Sequence, residues 1–311
     1  MDKLTLFTGN ANPRLALSIC DSLGVSLGKI EVSRFLDGET RVKINQNVRG
    51  KDVFVVQATG YPANENLMEL LIMIDAIKRA SAQRITAVLP YFGYARQDRK
   101  DQPRVPITAK LVANLLTRAG ANRIITIDLH AGQLQGFFDI SLDHLYAVSI
   151  FEEYFRQKEM ENIVIVSPDV GGIKTARAYS KRFNAGLGVV DKRRISDREA
   201  EVMHVMGDVK GKNVIIVDDI VASAGSLVEA VGALKNSGAG DIYAAITHPV
   251  LCGPAIERIK SSNIKELVVT DTIPMDKKNQ LKNITQLSVA SLLGEAIRRI
   301  HNEESISALF E

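Results

Sequence analysis

The sequence has few cysteines, little net charge and no long apolar run. Cys20 and Cys252 are its two cysteines, and neither has a partner at metal-ligand or redox spacing. We therefore expect a reduced, cytoplasmic protein whose thiols pack as small apolar groups. No stretch approaches about 18 apolar residues, and the first ten residues hold no long apolar segment, so we expect neither a membrane span nor secretion.

The charge composition excludes a protein that binds nucleic acid through its overall charge. The 311 residues include 39 basic and 36 acidic side chains, which leaves a net charge of +3. Because this balance gives no broad basic surface, basic side chains act locally, and we predict no nucleic-acid partner. With 46% hydrophobic residues, the chain is long enough to form about two domains with sizeable cores.

Short β-branched runs alternate with helical patterns along the chain. Runs such as DVFVVQA, RITAVLP and NVIIVDD are separated by patterns such as ENLMELLIMIDAIKRA and SLVEAVGALKNSG. Strands that are apolar almost throughout and alternate with helices predict an α/β protein with mainly parallel sheets covered on both faces. Ligands bind such sheets beyond the carboxyl ends of the strands, so the residues that follow strands are the candidate site residues.

The order of these elements repeats within the chain. The segment that begins LTLFTGNANPRLA matches in layout the one that begins IVIVSPDVGGIKTA, and DVFVVQATGY then parallels NVIIVDDIVA. NRIITIDLH parallels KELVVTDTI, which places Asp128 opposite Asp271. Correspondences in one order predict an internal duplication, with two similar α/β domains at 1–146 and 147–292. The last helix and tail, 293–311, can pack on either domain, and the N-terminal domain is one candidate.

One predicted strand end carries two carboxylates and a turn of small residues. Asp218 and Asp219 end the run NVIIVDD, residues 222–225 are small, and Ser226 is expected to cap the following helix. Free backbone N–H groups at a helix start suit a phosphate monoester, and the carboxylates suit sugar hydroxyls. An ordinary tight strand–helix turn with a capping serine has the same pattern.

Further acidic side chains follow two other predicted strands. In ITIDLHAGQLQGFFDISLD, strand alternation places Asp128 and His130 on one face, with Asp139 and Asp143 nearby. These groups suit a divalent metal, while His130 also suits nucleotide phosphates or a structural hydrogen bond. Asp169 in SPDVGG precedes a Gly pair and suits a second metal or a sugar contact.

Two basic segments complete the candidates. PYFGYARQDRKDQPR interleaves aromatic side chains with basic ones, including Arg96 and Arg104, and guanidinium groups pair well with phosphates. Lys192 and Arg194 in DKRR leave a strand into a polar segment, and a cationic loop stabilises negative charge in phosphoryl transfer. A solvated surface segment is the alternative interpretation of both.

Together, these motifs closely resemble the ribose-phosphate pyrophosphokinase family of the phosphoribosyltransferase-fold group. RFLDGET, PYFGYARQDRK, DLHAGQLQGFFD, SPDVGG and DKRR occur in this order, and the match spans essentially the whole chain. The resemblance implies an α/β fold of two similar phosphoribosyltransferase-like domains, each a mainly parallel sheet flanked by helices. It also implies a transferase of nucleotide biosynthesis that moves the β,γ-diphosphoryl group of ATP to the C1 hydroxyl of ribose 5-phosphate with Mg²⁺.

The resemblance implies roles for individual residues. Lys192 and Arg194 match the catalytic loop. The residues implied to bind ATP are Phe35, Asp37, Gly38, Glu39, Arg96 and Gln97. Those implied to bind ribose 5-phosphate are Arg194, Asp218, Asp219, Ala222, Ser223, Ala224, Gly225 and Ser226. The implied metal-associated residues are Asp128, His130, Asp139, Asp143 and Asp169, and the implied regulatory residues are Arg49, Arg104, Ser305, Ser307 and Phe310.

The resemblance further implies a homo-oligomer, a hexamer built from dimers, in which RFLDGET serves the ATP site of a neighbouring subunit. Phosphate and ADP are the implied regulatory ligands. Ala222 departs from the family, which usually has an aspartate there, and Ala224 replaces a frequent glycine. We expect the missing carboxylate to weaken a contact with the sugar. Phosphate binding by the backbone N–H groups of the turn should be unaffected. A catalytically silent regulatory paralogue and, ranked lower, a phosphoribosyltransferase are the alternatives.

Overall fold

A computed structural model describes residues 3–193, 202–276 and 281–309. The chain divides into two units by its contacts. The first comprises Met1–Tyr146, Thr272–Pro274 and Ser288–Glu311, and the second comprises Ala147–Asp271 and Met275–Leu287. The assignment of separate functions to the predicted domains 1–146, 147–292 and 293–311 stays a prediction. Within the described residues, no helix combines the length and apolar character that a membrane span requires.

Strands and helices alternate along most of the chain. The strands are β1 Leu4–Thr8, β2 Ile30–Arg34, β3 Thr40–Ile44, β4 Asp52–Val56, β5 Arg84–Leu89, β6 Arg123–Ile127, β7 Ser141–Leu145, β8 Ile163–Ser167, β9 Gly186–Arg193, β10 Val202–Met206, β11 Asn213–Val221, β12 Ile242–Pro249, β13 Glu266–Thr270 and β14 Ile284–Leu287. The helices are α1 Pro13–Leu23, α2 Ala63–Arg79, α3 Thr108–Ala119, α4 Val148–Arg156, α5 Ile173–Arg182, α6 Gly225–Asn236, α7 Ala255–Ser261 and α8 Ala290–His301. Short 3₁₀ helices span Gly132–Phe137 and Ser307–Leu309.

The first unit is built on a parallel sheet with the strand order β1-β4-β5-β6-β7. Strand β4 is buried along its whole length, as expected of a central strand in a parallel sheet. Strands β2 and β3 form a separate antiparallel hairpin. Helix α8, from the end of the chain, packs on α1 in this unit, and a Cβ at Gly294 would lie 2.2 Å from Ser22 Oγ.

The boundaries of α1 follow from its sequence. The side chain of Asn12 accepts a hydrogen bond from the backbone N–H of Leu15 at 3.3 Å, and Pro13 occupies the first turn, where no N–H partner is needed. Gly24 ends the helix in the left-handed conformation at φ 66°, which glycine adopts without steric cost. Leu15, Ala16, Ile19 and Cys20 form the buried face.

The second unit repeats the topology of the first. Its sheet has the order β10-β9-β8-β11-β12-β13-β14, and without the β9–β10 pair this is the order of the first sheet. The pairs β8–β11, β11–β12, β12–β13 and β13–β14 are all parallel. A hydrogen bond also recurs, from Asp128 N to Leu145 O at 3.0 Å and from Asp271 N to Leu287 O at 2.9 Å. The predicted α/β fold with two similar parallel-sheet domains is confirmed.

A buried charge network joins α8 to the amino ends of β4 and β5. Asp52 is 8% exposed and accepts two hydrogen bonds from Arg84, at 2.8 and 2.5 Å. Arg84 Nη2 also donates to the carbonyl of Ile300 at 2.9 Å, and Nδ1 of His301 lies 2.9 Å from the Asp52 carboxylate. The network therefore fixes the C-terminal end of α8 within the first unit.

We expect Arg84→Ala to destabilise the protein by about 2 kcal/mol, because it leaves a buried carboxylate without its guanidinium partner. The measurement is the urea unfolding curve of the full chain. Arg79→Ala is the matched control, since it breaks the exposed Arg79–Asp75 pair on α2 and should change stability little. Equal destabilisation by both variants would contradict this account.

Candidate functional site

The carboxyl end of β11 carries two adjacent carboxylates. Asp218 and Asp219 are half-buried, and the backbone N–H of Asp219 donates to Asp218 Oδ1 at 2.9 Å. Burial, followed by the negative charges of Asp219 and Asp169, raises the pKa of Asp218 well above its usual value. This strand end therefore concentrates negative charge in a partly desolvated place, where hydroxyl donors or a cation would be stabilised.

The turn after β11 leads directly into α6. Ala224 precedes the helix with φ 59° and ψ 12°, a left-handed conformation that is uncommon for a residue with a Cβ. The first backbone hydrogen bond of the helix runs from Val228 N to Ala224 O at 3.1 Å, so the N–H groups before it are available at the helix start. The predicted capping role of Ser226 is wrong, because α6 begins at Gly225 and no side chain caps it.

Asp169 lies just beyond the carboxyl end of β8, the strand that pairs with β11. Its Oδ1 accepts a hydrogen bond from Gly172 N at 2.9 Å, and its carbonyl accepts one from Ser167 Oγ at 2.7 Å. The first bond holds the Asp169 side chain at the start of α5, and the second holds its backbone. Because its charge acts on Asp218, the second unit brings Asp169 and the β11 carboxylates to one edge of its sheet.

The predicted site residues after β6 belong to the first unit. Strand β6 ends at Ile127, and Asp128 has φ 38°, so the strand alternation that predicted a shared face for Asp128 and His130 stops before these residues. His130 is exposed, and Leu129 N donates to Nε2 of the neighbouring His144 at 2.8 Å. The metal-associated roles of Asp128 and His130 stay predictions.

The two remaining acids of this motif have basic neighbours. Asp143 is buried in β7 and pairs with Arg123, at the amino end of β6, at 2.6 Å. Asp139 is exposed, with Lys110 Nζ at 3.9 Å. Within the described parts of the chain, no group of three or more His, Cys, Asp or Glu side chains is arranged to hold a metal. A metal here would depend on few protein ligands, as is usual for Mg²⁺ bound with a substrate.

The predicted ATP residues of RFLDGET form the tip of the β2–β3 hairpin. Phe35 N donates to Glu39 O at 2.8 Å, and Gly38 N donates to Phe35 O at 3.0 Å, which closes the turn. Phe35 is 51% exposed, and the guanidinium of Arg41 lies 5.9 Å from its ring centroid. The tip thus presents an aromatic ring and two carboxylates, Asp37 and Glu39, to the surroundings.

Arg96 and Gln97, the other predicted ATP residues, are exposed in the loop between β5 and α3. Thr108 Oγ1 donates to Gln97 Oε1 at 2.5 Å, and Ala109 N donates to the carbonyl of Gln97 at 3.2 Å. These bonds tie the loop to the first turn of α3. Arg194, which is predicted to be catalytic, lies outside the described residues. Lys192, predicted to act with it, is described only in its backbone, at the end of β9.

The predicted regulatory residues lie at separate places in the first unit. Arg49 and Arg104 are exposed in loops, while the chain around Ser305 and Ser307 borders a cavity of ≈ 420 Å³ with Arg84 and others. Ser305 Oγ donates to Ser307 Oγ at 3.0 Å. Phe310 lies outside the described residues, and the regulatory role of this set stays a prediction.

The two similar parallel sheets make this an α/β protein, in which ligands bind at the carboxyl ends of the strands. The turn of small residues that leads into α6 is typical of the members of this class that bind phosphorylated ligands. Residues 4–120 match the family described as the N-terminal domain of ribose phosphate pyrophosphokinase, and residues 193–311 match the phosphoribosyl synthetase-associated domain. The chain belongs to the ribose-phosphate pyrophosphokinase family. The predicted resemblance is thereby confirmed.

Relatives that match over nearly their whole length show the same family membership. The chain is 55% identical to the ribose-phosphate pyrophosphokinase of Bacillus caldolyticus over 99% of this chain and 98% of the relative, and 53% identical to that of Bacillus subtilis over 99% and 97%. It is also similar to the crystal structure of phosphoribosylpyrophosphate synthetase from Mycobacterium smegmatis, with a TM-score of 0.92 and 40% identity, covering 97% of this chain and 99% of that one.

The two cysteines differ in exposure, and their reactivity tests where the structure places them. Burial, with a smaller contribution from Asp21, raises the pKa of Cys20 to about 11, whereas Cys252 is exposed and its N–H donates to the carbonyl of Ala222. We expect iodoacetamide at pH 7.5 to alkylate Cys252 in the native protein and Cys20 only after unfolding, because the reaction needs an accessible thiolate. Peptide mass spectrometry measures this, and equal labelling of both thiols would contradict the placement.

Proposed function

We propose that the protein is a ribose-phosphate pyrophosphokinase. It transfers the β,γ-diphosphoryl group of ATP to the C1 hydroxyl of ribose 5-phosphate and releases phosphoribosyl pyrophosphate and AMP. The observation that supports this proposal most directly is the segment 218–226 at the end of β11, which we call the cradle. It consists of two carboxylates, a turn of small residues and an uncapped helix start, in a chain of this family. Its two parts match the two ends of a sugar phosphate.

The cradle binds ribose 5-phosphate in two ways. Backbone N–H groups of residues 223–226 hold the 5-phosphate, because the start of α6 provides donors and a favourable dipole. Asp218 and Asp219 accept hydrogen bonds from the ribose hydroxyls. Ala222 supplies no carboxylate, so the sugar depends on these two acids.

ATP binds through the first unit. The ring of Phe35 packs against adenine, with Asp37 and Glu39 beside it at the hairpin tip, and Arg96 and Gln97 contact the nucleotide. The exposed tip suits a site completed by a second copy of the chain. We therefore propose a homo-oligomer, a hexamer built from dimers, in which each tip serves a neighbour.

Mg²⁺ fits the donor set, because Asp218, Asp219 and Asp169 concentrate negative charge at one strand edge. In the second unit, Asp169 is proposed to be metal-associated. In the first unit, the proposed metal-associated residues are Asp128, His130, Asp139 and Asp143, and Asp143 has to leave Arg123 in order to take part. When bound, Mg²⁺ neutralises charge on the phosphoryl oxygens.

The reaction requires positioning and charge stabilisation rather than a covalent intermediate. The C1 oxygen forms a bond to the β-phosphorus in line with the bond that breaks, and AMP leaves with that electron pair. The C1 hydroxyl proton passes to solvent. Lys192 and Arg194 stabilise the charge that develops on the transferred group, and the cradle keeps C1 at attacking distance by holding the 5-phosphate.

Regulation by phosphate and ADP is part of the proposal. Arg49, Arg104, Ser305, Ser307 and Phe310 form the proposed site, whose arginines suit phosphate groups. A catalytically silent regulatory paralogue is the second candidate, and the observation that favours it is Ala222 at a position where a third carboxylate is expected.

The assay that separates these candidates uses the purified full chain with ATP, MgCl₂ and ribose 5-phosphate. We expect AMP and phosphoribosyl pyrophosphate in equal amounts, and no AMP when ribose 5-phosphate is omitted. Chromatography of the nucleotides measures this. If AMP does not form at any phosphate or metal concentration, the synthetase assignment fails and the silent paralogue replaces it.

We expect Ala222→Asp to lower the KM for ribose 5-phosphate about threefold to tenfold at saturating Mg²⁺, because one additional hydrogen bond to a sugar hydroxyl is worth about 1 kcal/mol. Steady-state kinetics with ribose 5-phosphate varied provides the measurement. Ala222→Asn is the uncharged control and should have a smaller effect. A KM that is the same in Ala222→Asp as in the unmodified protein would show that the missing carboxylate makes no sugar contact.

A further inference from the structure

The turn after β11 is held from one side by a single segment of the chain. Leu251 N donates to the carbonyl of Val221 at 3.0 Å, and Cys252 N donates to the carbonyl of Ala222 at 3.0 Å. Arg258, on α7, donates from Nη1 to the carbonyl of Ser223 at 3.0 Å. Three successive carbonyls of the turn are thus bound by residues 251–258, all within the second unit.

These bonds determine where the N–H groups of the turn point. In a trans peptide the N–H points opposite to the carbonyl of the preceding residue. Because the carbonyls of residues 221–223 face the 251–258 segment, the N–H groups of residues 222–224 face away from it. Successive N–H groups on one side of a turn form a concave anion site, which continues here into the open start of α6.

The Arg258 bond lies at the strained position of the turn. Ser223 and Ala224 share the peptide whose carbonyl Arg258 binds, and Ala224, a residue that is 4% exposed, has φ 59°. A residue with a Cβ disfavours this conformation, which glycine adopts freely. A charge-assisted hydrogen bond to the peptide offsets that cost, so the arginine stabilises the geometry that alanine disfavours.

The same guanidinium explains a neighbouring glycine. Arg258 Nη1 lies 3.2 Å from the place where a Cβ on Gly225 would be, closer than most real Cβ contacts. A side chain at position 225 would require the guanidinium to shift by a few tenths of an ångström. The absence of a side chain at position 225 therefore leaves room for the Arg258 guanidinium at its present position.

We propose that Arg258 is a positioning residue for ribose 5-phosphate: by binding the Ser223 carbonyl it holds the left-handed turn at Ala224 and directs the Ala224 N–H to the 5-phosphate. The inference rests on the proposed function, since it takes the cradle as the ribose 5-phosphate site. Arg258 touches neither the ribose nor ATP in this role. It acts through the peptide group, and its positive charge lies one peptide away from the phosphate.

The first test compares three variants of the full chain. We expect Arg258→Ala to raise the KM for ribose 5-phosphate about tenfold, the effect of losing one charge-assisted hydrogen bond, with kcat and the KM for ATP within about twofold of the unmodified protein. Arg258→Lys keeps one charged donor and should recover most of this loss. Lys260→Ala removes a charge from the same helix and serves as the matched control.

The second test asks whether Arg258 acts through Ala224. Glycine at position 224 adopts the left-handed conformation without help, so Arg258→Ala should raise the ribose 5-phosphate KM by less than about threefold in an Ala224→Gly background. A fold-change equal to that in the unmodified background would overturn the role of Arg258 in holding the turn. The single variant Ala224→Gly is measured beside the pair to complete the cycle.

Other outcomes are equally decisive. If Arg258→Ala matches Lys260→Ala, the inference fails while the enzyme assignment stands. If Arg258→Ala instead impairs both substrates and lowers the melting temperature, the residue is structural and the inference is overturned. Calorimetric titration with ribose 5-phosphate separates this inference from the proposed function: binding that depends on Arg258 without AMP formation supports the inference and contradicts the catalytic assignment.

Discussion

Parallel strand pairing is the constraint on which the rest of the structure depends. It brings the amino ends of the parallel strands together on one side of a sheet and their carboxyl ends together on the opposite side. The charged side chains at these two sides are arranged differently. At the amino ends, acids pair with bases, as in Asp52–Arg84 of the first unit and Glu266–Lys158 of the second. At the carboxyl end of β11, Asp218 instead lies beside another carboxylate. The ion pairs at the amino ends stabilise the fold, and the adjacent carboxylates at the carboxyl end of β11 suit ligands that bring hydroxyl groups or cations.

The central strands and most helices follow from the sequence because their signals are local. The runs VFVV in β4 and VIIV in β11 are short, apolar and rich in β-branched residues, which favours buried strands. The strands β3, β7 and β14 escape that signal, since TRVKI, SLDHL and ITQL mix polar and apolar residues and β7 and β14 lie at sheet edges. The duplication was visible because the order of elements, unlike any single element, rarely repeats by chance.

The site was predictable as a set of strand ends but not in its detail. Sequence proximity placed Asp143 near Asp128, whereas in the fold Asp143 is buried in the middle of β7 and its side chain pairs with Arg123, at the amino end of β6. The helix after β11 was expected to be capped by Ser226, but Ala224 occupies the N-cap position in a left-handed conformation. The sequence does not predict this conformation for an alanine. Nothing in the sequence marked Arg258, since an exposed arginine is usually solvated and its partner is far away in the chain.

These observations give the turn at 222–226 a specific physical role. The carbonyls of residues 221–223 are bound on one side, and the proposal is that the N–H groups on the other side form a preorganised phosphate site that needs no lysine of its own. The most direct measurement is a crystal structure of the full chain with ribose 5-phosphate. The account predicts the 5-phosphate oxygens about 2.8–3.1 Å from the N–H groups of residues 223–226, with the ribose beside Asp218 and Asp219. A phosphate bound elsewhere, with this turn unliganded, would contradict it.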